Sequence, residues 1–63
     1  MLLVTTISDN MIQSIQEVDS VEAQIRMFTR EVQAYCITVT EDMLFDGFVV
    51  MDDGLTTISM VTV

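Results

Sequence analysis

Asp19-Ser20-Val21-Glu22-Ala23-Gln24-Ile25-Arg26-Met27-Phe28-Thr29-Arg30-Glu31-Val32-Gln33-Ala34-Tyr35 is the stretch on which the fold turns. Together with Val18, the residues Val21, Ile25, Phe28, Val32 and Tyr35 recur at spacings of three and four, which lines one stripe of a helix with apolar groups and leaves its other faces polar. Asp19 or Ser20, with Glu22 close behind, makes an acidic variant of the capping box, able to accept from the free amides of a first turn. The pattern predicts a helix over Asp19–Tyr35. Glu22, Arg26 and Arg30 fall on one i, i+4 row as local ion-pair support. Ala23, Met27 and Ala34 form a neighbouring strip that widens the buried face.

A cap at Asp19 or Ser20 also decides what lies before it. Leu2–Ile7 is apolar and rich in β-branched residues, and Ser8-Asp9-Asn10 favours local side-chain to backbone hydrogen bonds, so a strand followed by a turn is expected. In Met11–Glu17, Ile12 and Ile15 would also suit a backward extension of the helix, but the cap argues for a second strand, paired with the first as a hairpin. Beyond the helix the period changes to two. Ile37-Thr38-Val39-Thr40 alternates as a half-buried strand that stops at a Glu41-Asp42 turn. Phe45–Met51 reads as the next strand, Asp52-Asp53-Gly54 as a tight turn, and Leu55–Val63 as the last strand. Asp53-Gly54 between strand-forming residues is the strongest hairpin signal in the chain, and Gly47 marks a bulge or the opening of a strand. The expected fold is a single α+β domain over residues 1–63, with one helix packed on a small, mainly antiparallel sheet of four to five strands in the order ββαβββ.

Sixty-three residues bury only about 60% of the surface of the unfolded chain. Yet 51% of them are hydrophobic, more apolar material than one helix on a small sheet can hide. In the last strands Phe48 and Val50 oppose Val49 and Met51, and Ile58 and Met60 oppose Val61 and Val63, so both faces of the sheet carry apolar groups. One helix covers only one of them. The surplus points to a homodimer, or to a partner seated on the second face; if that face is the functional surface, Val49, Met51 and Val61 are its sensitive positions.

The charge narrows the function classes. Ten Asp and Glu stand against Arg26 and Arg30, with no Lys or His, for a formal net charge of -8. Such a chain repels nucleic acid and anionic membranes and is steered toward basic surfaces, although acidity also serves simply to keep an apolar small protein in solution. General acid and base catalysis and activated nucleophiles lack their usual His or Lys, which points away from an enzyme. Zinc lacks a Cys and His set, and the acids from Asp42 to Asp53 lack the ligand spacing of a calcium loop, so no metal and no cofactor are expected. Cys36, the single cysteine, rules out an intrachain disulfide and is expected as a buried structural thiol. Without a basic region at its start or a run of roughly 20 apolar residues, the chain is expected to be cytoplasmic, in a host cell if it is viral.

The remaining signal is the placement of the acids. Glu41, Asp42, Asp46, Asp52 and Asp53 put five of the ten into thirteen residues that contain no cation. In a three-stranded meander the Glu41-Asp42 and Asp52-Asp53 turns would lie at opposite ends of the middle strand, on the order of 20 to 30 Å apart at about 3.3 Å per residue. Spaced anionic groups on a rigid body can occupy a groove lined with Lys and Arg that otherwise holds a phosphate backbone. Glu17, Asp19 and Glu22 are secondary candidates for the same surface.

In size, acidity, helix-on-sheet pattern and lack of catalytic residues, the chain resembles, as a type, the small acidic proteins that phages and other mobile elements use against host defences, among them anti-CRISPR proteins and DNA mimics. The resemblance implies a non-enzymatic inhibitor that docks on the basic surface of a nucleic-acid-binding protein. The alternative is a small structural or assembly protein that acts through an apolar sheet face or a homodimer interface.

Overall fold

The computed structural model describes all 63 residues, Met1–Val63. Strand β1 (Leu2–Ser8) and strand β2 (Met11–Val18) form a hairpin, followed by helix α1 (Val21–Gln33), a short helix α2 (Glu41–Asp46), strand β3 (Phe48–Val50) and strand β4 (Thr56–Thr62). The four strands make one antiparallel sheet in the order β2-β1-β4-β3. The fold is α+β, with α1 packed across β1 and β4.

The first hairpin turns at Asp9 and Asn10, both with positive φ (53° and 62°), a conformation that short polar side chains tolerate best. Its register slips between Thr6 and Ile7, where Ser14 and Ile12 are the successive partners on β2 and Gln13 is the extra residue of a bulge. The first hairpin joins the rest of the sheet through β1, which pairs with β4 from Leu2 opposite Thr62 to Ser8 opposite Thr56.

Helix α1 begins where the cap signal places it. Ser20 is extended, and its Oγ accepts from the Ala23 backbone N–H at 3.1 Å. The helix is shorter than the apolar period suggests, ending at Gln33, and its buried side is rotated from the expected stripe. Phe28 and Val32 are fully buried, but Val21, Ile25 and Tyr35 are exposed, and Gln24 takes a core position. Gln24 is tolerated there because its amide Nε2 donates to the carbonyl oxygens of Leu3 (2.9 Å) and Val61 (3.1 Å), which face each other across β1 and β4. Of the flanking strip, Met27 packs against the core and Ala23 is half-buried, whereas Ala34 is exposed. No ion pair forms along Glu22, Arg26 and Arg30.

The segment after α1 differs most from the sequence reading. Ile37–Thr40 forms no strand. Its side chains nonetheless alternate between half-buried Ile37 and Val39 and exposed Thr38 and Thr40, so an extended segment reproduces the period of a strand without a ladder partner. Glu41 and Asp42 are the first turn of α2 rather than a turn between strands. Thr40 caps it, its Oγ1 accepting from Met43 N at 3.3 Å. Gly47 ends it in the left-handed region at φ 82°, its N–H donating to Met43 O at 2.9 Å. The expected strand over Phe45–Met51 is therefore cut to Phe48–Val50. Met43 and Leu44 turn inward and Phe45 is left 92% exposed.

The core is small: Val4, Phe28, Val32, Met51 and Ile58, with half-buried side chains around them. Met51 and the half-buried Val49 lie on the side of the helices. The second sheet face is not theirs, as the sequence reading has it, but carries Phe48 and Val50 together with Val61.

Candidate functional site

All eight candidate acids, Glu17, Asp19, Glu22, Glu41, Asp42, Asp46, Asp52 and Asp53, are exposed. They differ in how much structural work explains them. Glu41 and Asp42 sit in the first turn of α2, where carboxylates face the partial positive charge of the free amides, and Glu22 does the same for α1. Those three have a local reason to be acidic.

Asp53 is tied into its own turn. Its Oδ1 accepts from the backbone N–H of Leu55 (2.8 Å) and of Thr56 (2.9 Å), while Oδ2 accepts from the Thr56 hydroxyl at 2.8 Å. The Leu55 N–H, then the Thr56 hydroxyl and the Thr56 N–H, stabilise the charged form and hold the carboxyl below the ordinary aspartate value. Thr56 Oγ1 also lies 2.9 Å from Ser8 Oγ, and Asp9 N–H donates to Leu55 O at 3.2 Å, so the two hairpin turns are joined.

Asp46 and Asp52 have no such account. Asp46 is the last residue of α2, the end at which a carboxylate opposes the helix dipole. Asp52 follows β3 in the turn and takes part in no side-chain hydrogen bond. The two flank Gly47 to Met51, so they lie at most about 20 Å apart at about 3.3 Å per residue. The wide spacing that a meander would give the Glu41-Asp42 and Asp52-Asp53 pairs does not apply, because the middle strand has three residues and the first pair sits on a helix.

An open cavity of about 280 Å³ is lined by Tyr35, Cys36, Ile37, Met51, Asp52 and Asp53. It lies between the segment after α1 and the β3–β4 turn, with Tyr35, Asp52 and Asp53 among its lining residues. Cys36 is exposed there at φ 61°, not buried as its apolar neighbour Ile37 suggests. Comparisons with protein-family models, with curated proteins and with solved structures return no match. Nowhere do three or more acids, or acids with the cysteine, gather closely enough to hold a metal ion, and no helix is long and apolar enough to cross a membrane.

What sequence reasoning missed is the Tyr35 and Cys36 side of this cavity. Tyr35 closes the apolar stripe by its spacing and Cys36 reads as a buried thiol, so nothing in the sequence set either of them beside the Asp52-Asp53 turn.

Proposed function

We propose that this chain is a non-enzymatic acidic binding protein that inhibits a nucleic-acid-binding partner by occupying its basic surface, in the manner of the anti-defence proteins of phages. The observation that carries the reading is the exposure of all five acids between Glu41 and Asp53 in a half of the chain that holds no cation. Asp46 and Asp52 carry it furthest, since neither stabilises the fold. The cavity beside Asp52 is of a size for a single Lys or Arg side chain, with Tyr35 available to the stem or guanidinium and Asp52 to the charge.

The test is capture of binding partners on immobilised wild type and on an Asp46→Lys/Asp52→Lys variant, eluted with rising salt. A basic partner that leaves the wild type at moderate salt and is not retained by the variant is the expected result. Equal retention by the variant refutes electrostatic occupation of a basic surface.

A second reading, that the chain is an assembly protein acting through its apolar sheet face or a homodimer interface, is favoured by a different observation. Phe48 and Val50 lie on the uncovered face of the sheet and are about half exposed.

A further inference from the structure

The uncovered face of the sheet has an order of its own. The β pairings align Ile15, Thr5, Ser59 and Phe48 in one row across the four strands, and Ile12, Ile7, Thr57 and Val50 in the next. The edge strands β2 and β3 contribute apolar side chains to both rows, and β4 contributes hydroxyls. Ile7, Ile12, Ile15, Phe48 and Val50 are between 40% and 64% exposed.

We infer that a second copy of this chain covers this face, stacking sheet on sheet about a two-fold axis that lies between the two sheets. The inference rests on the second of the two readings above and commits it to one occupant. Three observations favour a copy over another partner. First, the face complements itself. A two-fold axis along the strands lays β2 over β3 of the other copy, and one across the strands lays β2 over β2, so in either case apolar edge columns meet apolar edge columns.

Second, the face is nearly free of charge. Of ten acids only Glu17, at the end of β2 opposite Leu3, belongs to it, and neither arginine does. A charged partner finds little here to select it, while the other nine acids of each copy stay off the stacked face. Third, the area is of the order a weak dimer needs. Three strands of seven or eight residues and the three-residue β3 give a footprint of about 400 Å². Two such faces bury about 800 Å² before side-chain relief is counted, against the roughly 1,000 Å² of a specific interface. Both cavities of the molecule lie elsewhere, on the helix side and at the β3–β4 turn, so the face offers a flat surface rather than a groove for a peptide.

The two-fold brings together two chains of net charge -8, so the dimer tightens with added salt, the opposite of a complex with a basic partner. Sedimentation of the wild type over a concentration series is expected to give twice the 7.1 kDa monomer mass at micromolar concentration, with a dissociation constant that falls between low and high salt. Ile15→Lys/Phe48→Lys is expected to raise that constant at least about tenfold, even though it lowers the net charge, with its circular dichroism unchanged. Phe45→Lys, at the most exposed apolar residue but on α2, is expected to leave the dimer intact. Isotope-filtered NOEs between differently labelled wild-type copies are expected between Ile15 and Phe48 or between like residues of the two copies. A wild type that stays monomeric overturns the second copy, as does a dimer that survives Ile15→Lys/Phe48→Lys. The assembly reading itself fails separately, if that double variant keeps full biological effect.

Discussion

Gln24 Nε2 donates to the carbonyl oxygen of Leu3 at 2.9 Å, and this contact fixes α1 to the middle of the sheet. The same nitrogen reaches Val61 O, so one buried amide holds both central strands. Gln24→Leu removes two hydrogen bonds without burying a charge and is expected to cost about 1 to 3 kcal/mol. Gln24→Glu sets a carboxylate against two carbonyl oxygens in the core and is expected to cost more than about 3 kcal/mol at neutral pH. Urea denaturation of both variants checks the order, which reverses if the position is in effect exposed.

Thr6 makes the converse case. Its Oγ1 is buried without a hydrogen-bond partner, beside Ile58 on β4 and Ser14 on β2. A hydroxyl in that state costs free energy that an isosteric methyl does not. Thr6→Val is expected to stabilise the protein by about 1 kcal/mol, read as a shift of the urea midpoint at constant slope.

These two positions show where the sequence was readable and where it was not. The first hairpin, a cap at Asp19 or Ser20 and the Asp53-Gly54 turn follow from local chemistry, and the structure has all three, with Ser20 as the cap. The phase of the α1 stripe does not, because Gln24 reads as a surface residue until two strand carbonyls lie under it. Val21 and Ile25 read as core for the same reason and are exposed. At Ile37–Thr40 the alternation is real in burial, but a ladder partner is not encoded in the segment itself, and the segment pairs with neither edge strand of the sheet. The signals for α2, Thr40 before two acids and Gly47 after Asp46, bound only six residues, too few to show a helical period. For the candidate site, the acids were legible as a cluster. Their division into those that cap, those that close a turn and those that do neither needed the structure.

The misread phase has a measurable consequence. Phe28→Ala opens a cavity in a five-residue core and is expected to cost about 3 to 5 kcal/mol, a large part of the roughly 3 to 9 kcal/mol available to a chain of this length. Val21→Ser, on the same expected stripe but exposed, is expected to stay within about 0.5 kcal/mol. Thermal unfolding of the pair distinguishes the two orientations of the helix.

Asp53 links stability to pH through the turn it closes. Its carboxyl is held below 3.8 by the Leu55 N–H, the Thr56 hydroxyl and the Thr56 N–H. A folded-state value below the unfolded one means that the charged form stabilises the fold above pH 3.8 and that this contribution is lost as pH falls through the lowered value. The stability difference between wild type and Asp53→Ala is therefore expected to be greatest near neutral pH and to shrink in acid. A carboxyl-detected NMR titration, in which Asp53 is expected to protonate below 3.8, checks the cause independently.

Asp46 should separate stability from binding. As the last residue of α2 it places a negative charge at the helix end where a positive one is favoured, so Asp46→Lys is expected to stabilise the fold by a few tenths of a kcal/mol. Glu41→Lys, at the other end of the same helix, is expected to destabilise it by a similar amount. If the acids bind a basic partner, both variants bind it less tightly, and the loss is steepest at low salt. Binding and stability then move together for Glu41 and in opposite directions for Asp46. An Asp46→Lys protein that is more stable and binds as well as the wild type would leave Asp46 with neither a structural nor a binding role and would remove it from the site.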